Sequence, residues 1–223
     1  AVVGGCALAG SRMLGAPVLT ARGALRAGCG LVRLAMPAPL LNAGLAALTS
    51  ATGVALATDE AGGLVAHEGV AALDALARGS DCLAVGPGLG AGSGPGAAAL
   101  RAVQQDDCPV VVDADALNAL AHVPELWRDF RAAAVLTPHP GEFARLAAAL
   151  RVRGDATEER ERPGAAEALA QRLGCVVVLK GAGTVVSDGH RTWVCGAGHA
   201  CLATAGTGDV LTGVIAGLIA QHH

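Results

Sequence analysis

The chain has 223 residues, a net charge of −3, 32 glycines and 2% aromatic residues, a composition without the basic stripe or stacking platforms that nucleic-acid binding requires. Its 7 cysteines show no CxxC or Cys/His ligand spacing, which argues against a disulfide framework or a zinc site and favours a reducing, cytoplasmic compartment. No apolar run reaches the roughly 18 residues that span a bilayer, and the N-terminus lacks the charged start of a signal peptide.

Short apolar runs bounded by glycine or proline alternate with alanine-rich stretches along the chain. The runs predict strands, and the stretches predict helices. In chain order the predicted elements are strand 2–3, helix 14–27, strand 31–36, helix 64–78, strand 82–85, helix 96–105, strand 110–112, helix 115–121, strand 133–136, helix 141–150, helix 163–173, strand 176–179, strands 185–187 and 192–195, and helix 207–220. The charged segment 151–164 is predicted to be a surface loop.

Continuous apolar strands separated by helices predict a mostly parallel sheet that is covered on both faces. Strands 185–187 and 192–195 are predicted to form a hairpin through a glycine turn. We therefore expect one α/β domain over residues 1–223. The chain begins abruptly inside a predicted strand and its end at 221–223 looks cut short, so we expect truncation at both ends.

The most informative segment is the glycine-rich stretch Thr204–Asp209, which leads directly into an apolar helix. The first N–H groups of a helix have no intrahelical partner and attract anions, phosphate most often. Asp209 can simply cap this helix. Beside a bound phosphate it can instead accept a proton from an attacking hydroxyl group. The local pattern leaves both interpretations open.

Four further groups of residues follow predicted strands. Ligands of open parallel sheets bind beyond the carboxyl ends of the strands, so we expect these groups to share one edge. The groups are the loop Gly86–Gly90, the pair Asp113 and Asp115, the turn Thr137–Glu142, and the loop Lys180–Thr184.

The glycine loop and the two aspartates each fit two interpretations. Gly86, Gly88 and Gly90 can let the backbone approach a ligand, but they also fit an ordinary turn, and they lack a clean GxGxxG fingerprint. Asp115 fits an N-cap of the following helix better than a metal ligand. Asp113 ends an apolar strand and needs a partner, and Mg²⁺ or its water shell would be one.

The turn and the lysine loop also have plain structural alternatives. His139 lies between two prolines, which suits either an aimed side chain or a turn histidine. Glu142 is expected in the first turn of a helix, where the helix dipole favours it. Lys180 precedes Gly181 and Gly183, and it either meets phosphate as a point charge or is solvated before the hairpin.

Taken in this order, the motifs resemble those of the ADP/ATP-dependent NAD(P)H-hydrate dehydratases, the carbohydrate-kinase-like domain of the YjeF type. The resemblance extends over nearly the whole chain. It is carried by residues 23–32, 84–90, 112–118, 137–142, 179–184 and 203–209. It implies a ribokinase-like three-layer sandwich with a mainly parallel central sheet and helices on both faces.

The resemblance implies repair of hydrated NADH or NADPH, the 6-hydroxy form. The hydroxyl group would be phosphorylated by ADP or ATP with Mg²⁺, and phosphate would then leave. Asp209 would accept the hydroxyl proton. The implied anion hole is Ala205, Gly206, Thr207 and Gly208. The implied nucleotide contacts are Lys180, Gly181, Ala182, Gly183, Thr184 and Gly208. The implied contacts of the hydrated cofactor are Ala16, the set Gly86, Gly88 and Gly90, His139 and Asp209. The supporting residues are Asp113, Asp115, Asn118 and Glu142, with Mg²⁺ held through Asp113 and water.

Two segments depart from the family pattern. A longer stretch than usual separates Gly4–Gly5 from Gly15–Ala16, which makes Ala16 the weakest assignment. Residues 198–201 read Gly-His-Ala-Cys where the family often has Gly-Asn-Pro-Gly. We expect this change to reshape the loop that leads into the anion hole.

Three other functions compete with this interpretation. The first is a small-molecule kinase of the same fold that acts on a thiazole or pyrimidine vitamin alcohol. The second is a catalytically silent nucleotide sensor, and the third is a Rossmann dehydrogenase with Asp113 on the ribose. A homo-oligomer, and an epimerase domain that is fused or a separate partner, are compatible with the resemblance. Nucleic acid and membrane are not expected partners.

Overall fold

The computed structural model describes residues 1–222. The strands are β1 (Val2–Val3), β2 (Cys6–Leu8), β3 (Ser11–Met13), β4 (Arg33–Pro37), β5 (Thr52–Leu56), β6 (Leu83–Val85), β7 (Val110–Val112), β8 (Ala134–Leu136), β9 (Val176–Leu179), β10 (Val185–Ser187) and β11 (Thr192–Val194). The α-helices are α1 (Gly15–Arg26), α2 (Ala38–Ala47), α3 (Ala66–Ala77), α4 (Ser93–Gln104), α5 (Asp115–Leu120), α6 (Pro140–Leu150), α7 (Arg162–Leu173) and α8 (Thr207–His222).

Nine of these strands form one sheet in the order β11-β10-β9-β8-β7-β6-β1-β4-β5. Every pairing from β5 across to β9 is parallel, and β10 is antiparallel to both of its neighbours. Strands β2 and β3 form a separate hairpin. The predicted mainly parallel sheet with a terminal hairpin is therefore confirmed.

Both faces of the sheet are buried under helices. Neighbouring strand residues point to opposite sides of the sheet, so each strand contributes side chains to both layers. Val110 and Val112 belong to a cluster packed with side chains of α3, α4, α5, α6 and α7. Val111, which lies between them, belongs to a second cluster with residues of α1 and Ala216 of α8. These two layers of helices around one sheet confirm the predicted three-layer sandwich.

Helices α1 and α8 pack unusually closely through small residues. A Cβ placed on Gly23 would lie 2.6 Å from the carbonyl oxygen of Val210, and one on Gly213 would overlap the carbonyl oxygen of Thr20. The two backbones therefore approach each other where side chains would otherwise separate them. This contact fixes the first half of α8 against the second half of α1.

Four elements were absent from the sequence prediction. The hairpin of β2 and β3 occupies the long segment before α1. Helix α2 has prolines at its start and lacks a strong polar face, so its periodicity is weak. Strand β5 lies at the edge of the sheet and is largely exposed, so no continuous apolar run marks it.

The prediction of segment 151–164 as a surface loop is wrong at its end. Helix α7 begins at Arg162, whose side chain is only 5% exposed. Ala156, in the middle of the segment, is also buried. The loop is anchored inward at these two residues, although most of its other side chains are exposed.

None of the helices in residues 1–222 combines the length and the apolar character that a membrane crossing needs.

Candidate active site

The carboxyl ends of β6, β7, β8 and β9 meet at one edge of the sheet. The register pairs Val85 with Val112, Val112 with Leu136, and Leu136 with Val177. Because these strands run parallel, the residues that follow them lie side by side. The structure therefore brings together the glycine loop, Asp113, the turn before α6 and the loop after β9, as the sequence predicts.

Asp113 is the buried centre of this edge. Its carboxylate is 1% exposed, and it accepts hydrogen bonds from Nζ of Lys180 and from Oγ1 of Thr212, each at 2.6 Å. Nζ of Lys180 also lies 3.8 Å from Oε2 of Glu142. A buried carboxylate needs such partners, since an unpaired charge away from water is strongly unfavourable.

Thr212 was not singled out in the sequence, although it connects Asp113 to α8. It is fully buried, and its Oγ1 lies 3.1 Å from the carbonyl oxygen of Gly208 as well as 2.6 Å from Oδ2 of Asp113. A threonine within an apolar helix gave little reason for attention. The one sequence feature that could have identified Thr212 as a site residue is that it is a polar side chain on the buried face of α8.

The segment Ala205–Gly208 forms an open N-terminus of α8. Within the described residues, the N–H groups of Ala205, Gly206 and Gly208 make no hydrogen bond, whereas that of Thr207 donates to the carbonyl of Thr204 at 3.3 Å. Lys180 lies close by, since a Cβ on Gly208 would be 3.5 Å from its Nζ. Free N–H groups, the helix dipole and an ammonium group together form a site for an anion.

Asp209 stands in the first turn of α8, beside this anion site. It is not the N-cap, because it is the third residue of the helix, and its carboxylate has no hydrogen bond to any described residue. Burial, and secondly the charge of Asp113, raise its pKa to about 6, while Lys180 acts in the opposite direction. A carboxyl group with this pKa is still ionised at neutral pH and is a stronger base than an ordinary aspartate.

His139 and Glu142 form a reciprocal cap at the start of α6. Nδ1 of His139 accepts from the N–H of Gly141 at 3.0 Å and from that of Glu142 at 3.3 Å, and Oε2 of Glu142 accepts from the N–H of His139 at 2.8 Å. Because Nδ1 is the acceptor, the proton of the neutral ring is on Nε2. The ring is 51% exposed, and its Nε2 lies 3.4 Å from Oε1 of Glu142.

Glu142 is buried behind this cap. Burial raises its pKa, although the N–H of His139 and the charge of Lys180 both favour the ionised form. Its place in the first turn of a helix, as predicted, adds the favourable helix dipole.

The glycine loop packs against the start of α1. A Cβ on Gly88 would lie 3.3 Å from Cβ of Ala16. Oδ2 of Asp115 accepts from the N–H of Gly90 at 2.8 Å. The structure therefore places Ala16 beside the glycines with which the sequence grouped it.

The prediction that Asp115 is an N-cap is wrong. Helix α5 is preceded by Ala114 at the cap position, and no side chain caps it. Asp115 is the first helical residue, and its carboxylate holds the glycine loop instead. Asn118, one turn later, accepts from Nη1 of Arg145 at 2.9 Å and so ties α5 to α6.

The loop Lys180–Thr184 lies between β9 and β10 and is held from below by a residue that the sequence analysis missed. The guanidinium group of Arg162 donates to the carbonyl oxygens of Leu179 at 3.0 Å and Lys180 at 3.2 Å. The upper side of the loop, from Gly181 to Gly183, is exposed. A lone arginine in a charged segment carries no sequence signal that distinguishes a buried side chain from a solvated one.

A family model described as NAD(P)H-hydrate dehydratase matches residues 2–223. The chain belongs to the NAD(P)H-hydrate dehydratase family. It is 43% identical over 212 residues to the bifunctional NAD(P)H-hydrate repair enzyme Nnr of Salinibacter ruber, an alignment that covers 93% of this chain and 38% of that protein. The chain thus spans well under half the length of this relative.

Solved structures agree with the family and the fold. The ADP/ATP-dependent NAD(P)H-hydrate dehydratase from Bacillus subtilis, co-crystallized with ATP/Mg²⁺ and soaked with CoA, matches with a TM-score of 0.73 and 29% identity over 98% of this chain and 72% of that one. A ribokinase-like superfamily protein from Enterococcus faecalis V583 matches with a TM-score of 0.74 and 22% identity over 99% of this chain and 70% of that one. The predicted ribokinase-like fold is confirmed.

The two departures from the dehydratase family pattern have structural explanations. The long segment before Ala16 is the hairpin of β2 and β3. Residues Ala200–Leu202 form one turn of 3₁₀-helix, in which Nδ1 of His199 accepts from the N–H of Cys201 at 3.2 Å. His199, which stands where the family pattern often has asparagine, therefore supplies a local cap.

The donor set does not form a protein-ligated Mg²⁺ site. Among residues 1–222, no group of three His, Cys, Asp or Glu side chains could hold a metal ion. Both carboxylate oxygens of Asp113 have protein partners, Lys180 and Thr212. The role of Asp113 in holding Lys180 follows directly from this geometry, and its role in holding Mg²⁺ through water stays a prediction.

Proposed function

We propose that this chain removes water from the 6-hydroxy forms of NADH and NADPH at the expense of ADP or ATP. The observation that carries the proposal is the position of Asp209 beside the open N-terminus of α8 and the ammonium group of Lys180. A general base adjacent to an anion site is the arrangement that phosphoryl transfer to a hydroxyl group requires.

In the first step, the hydroxyl oxygen of the hydrated ring attacks the terminal phosphorus of the nucleotide. The bond between that phosphorus and the bridging oxygen breaks, and the shortened nucleotide leaves. Asp209 accepts the hydroxyl proton, for which its pKa of about 6 is suited. The N–H groups of Ala205, Gly206 and Gly208 stabilise the charge on the transferred phosphoryl group.

In the second step, phosphate leaves from the ring carbon. Hydroxide is a poor leaving group and phosphate a good one, so phosphorylation makes the C–O bond breakable. The lone pair of the ring nitrogen displaces the phosphate, and the released phosphate accepts a proton from the neighbouring carbon, which restores the ring double bond. The products are the repaired dinucleotide, phosphate and the shortened nucleotide.

The two substrates approach the anion site from opposite sides in this proposal. The adenine nucleotide lies over the exposed loop Lys180–Thr184, with its terminal phosphate at Gly208. The hydrated ring lies between the pair Ala16 and Gly88 and the Nε2–H of His139. Mg²⁺ would be brought by the phosphates of the nucleotide and would supply charge neutralisation there, since residues 1–222 hold no cluster of three or more metal ligands.

We further propose that residues 1–223 form one catalytic domain. The relative from Salinibacter ruber is named bifunctional and is much longer than the aligned region. We expect an epimerase to carry the second activity, either as a fused domain or as a separate partner.

The deciding experiment incubates the protein with hydrated NADH or NADPH, Mg²⁺ and either ADP or ATP, and follows recovery of the dihydronicotinamide absorbance together with release of phosphate. We expect equal amounts of dinucleotide and phosphate. A parallel reaction with a thiazole or pyrimidine alcohol and ATP tests the kinase alternative. Turnover of the alcohol without turnover of hydrated NADH would overturn the proposal, and nucleotide binding without either reaction would favour the silent sensor.

A further inference from the structure

Arg162 is a buried cation directly beneath the loop Lys180–Thr184. It is 5% exposed and lies at the first position of α7. Nη1 donates to the carbonyl of Ala156 at 2.7 Å. Nη2 lies 3.0 Å from the carbonyl oxygen of Leu179, 3.2 Å from that of Lys180 and 3.5 Å from that of Gly183. One guanidinium group thus faces carbonyls on both sides of the loop.

Within residues 1–222, no carboxylate compensates this buried charge. None of the ion pairs among the described residues includes Arg162, and its Nε is buried without a hydrogen-bond partner. Burial lowers its pKa. A buried arginine normally pairs with an acid, because desolvating a charge is expensive.

The contacts of Arg162 determine which way the loop amides point. In a trans peptide the carbonyl and the following N–H point in opposite directions. A carbonyl of Lys180 or Gly183 that faces Arg162 therefore turns the N–H of Gly181 or Thr184 away from it. Neither N–H has a hydrogen-bond partner within the described residues. They are free to meet the oxygens of a ligand on the exposed side of the loop.

Gly181 belongs to the same arrangement. A Cβ at this position would lie 2.9 Å from Nη2 of Arg162, and its φ of +144° is one that side chains rarely adopt. The guanidinium and the loop backbone therefore touch without an intervening side chain, which brings the positive charge close to the exposed surface.

We propose that Arg162 is a positioning residue for the anionic co-substrate: it turns the amides of Gly181 and Thr184 toward a nucleotide di- or triphosphate and supplies, from below the loop, a charge that the bound phosphates neutralise. This inference rests on the proposed placement of the nucleotide over Lys180–Thr184. It adds a residue outside the loop to the determinants of nucleotide affinity.

The test compares Arg162→Lys with Arg172→Lys. Arg172 lies on the same helix, stacked over the ring of Trp127 at 3.8 Å, and serves as the matched control. Lysine keeps the charge but cannot contact carbonyls on both sides of the loop. By calorimetry, we expect ADP and ATP to bind Arg162→Lys about tenfold or more weakly, as loss of charged hydrogen bonds predicts. Affinity for hydrated NADH, and both affinities of Arg172→Lys, should stay within about twofold of the wild type.

A second pair of variants covers the case in which Arg162→Lys does not fold. Gly181→Ala places a Cβ against the guanidinium, whereas a Cβ at Gly164, on the same helix as Arg162, meets nothing within 4 Å. We expect Gly181→Ala to weaken nucleotide binding and Gly164→Ala to leave it unchanged. Guanidinium ion at millimolar concentration should restore nucleotide affinity to Arg162→Gly, and urea at the same concentration should not.

The possible outcomes separate this inference from the proposed function. Unchanged nucleotide affinity in Arg162→Lys and Gly181→Ala, with a wild type that binds nucleotide, overturns the inference alone. A parallel loss of nucleotide and hydrated-cofactor affinity shows a general structural role and also overturns it. A wild type that binds neither ADP nor ATP overturns the proposed function and the inference with it.

Discussion

Nζ of Lys180 lies 2.6 Å from Oδ1 of Asp113, although 67 positions separate the two residues. The pair joins the end of β9 to the end of β7, and the second oxygen of Asp113 holds Thr212 of α8. One carboxylate thus ties together the loop Lys180–Thr184 and helix α8. The distance between these two parts of the candidate site is set by a buried ion pair.

Breaking this pair should destabilise the fold. Asp113→Asn and Lys180→Met should each lower the free energy of unfolding by about 3 kcal/mol. This value is the lower end of the range for removing one partner of a buried ion pair, because Lys180 retains some exposure. Unfolding in urea measures this loss. In the double variant the loss should be smaller than the sum of the single losses, because no charge is then left unpaired. Strict additivity would show that the two residues do not interact energetically.

Asp209→Asn should abolish turnover and spare nucleotide binding. The amide keeps the shape of the side chain but cannot accept the hydroxyl proton, and removal of a general base reduces rates by at least about 10²-fold. Steady-state kinetics measure the loss, and calorimetry with ADP or ATP is the control. A variant with a near-wild-type rate would contradict the role proposed for Asp209.

The rate should fall in acid with the titration of Asp209. Its pKa is raised to about 6, so the base is lost by protonation as the pH drops below this value, and kcat/KM should decline about tenfold per pH unit. The charge of Asp113 contributes to the raised pKa. The inflection should therefore move to lower pH in Asp113→Asn, measured at temperatures where that variant is folded. An inflection that does not move would assign the titration to another group.

Asp209→Asn should also stabilise the protein above about pH 6. A carboxyl group whose pKa is raised by folding contributes stability below its unfolded pKa, and this contribution is lost as the pH rises through the folded value. Asparagine does not titrate at that site. The melting temperature of the variant should exceed that of the wild type at pH 8, and the difference should vanish near pH 4. A variant that is less stable at pH 8 would show that Asp209 makes a favourable contact as an anion.

Gly183→Leu should weaken nucleotide binding by obstructing the exposed side of the loop. A Cβ there would lie 3.7 Å from Cγ1 of Val194, so the larger side chain must extend over the loop surface. Gly174→Leu is the control, because Gly174 has a similar positive φ and no neighbour within 4 Å of its Cβ. Both variants carry backbone strain of about 1 kcal/mol or more, and only Gly183→Leu should lose ADP or ATP affinity. Equal affinities in calorimetry would contradict the placement of the nucleotide.

The sequence by itself determined the sheet, most helices and the edge at which the candidate site lies. Apolar runs such as Val110–Val112 are strands because only a doubly covered sheet can bury them, and a parallel sheet brings the residues after its strands to one edge. Weak or exposed elements, including α2 and β5, left no comparable periodicity.

Only the tertiary structure decided which polar side chains meet. Thr212 contacts Asp113 across 99 positions, and Arg162 reaches the loop after β9 from the start of α7. Asp115 looks like a helix cap in the sequence, yet it holds Gly90. A local sequence pattern predicts only the helix or strand to which a residue belongs. Hydrogen bonds between elements depend on how the helices pack on the sheet. The partners of a buried charge are therefore set by the whole fold rather than by its neighbours in the chain.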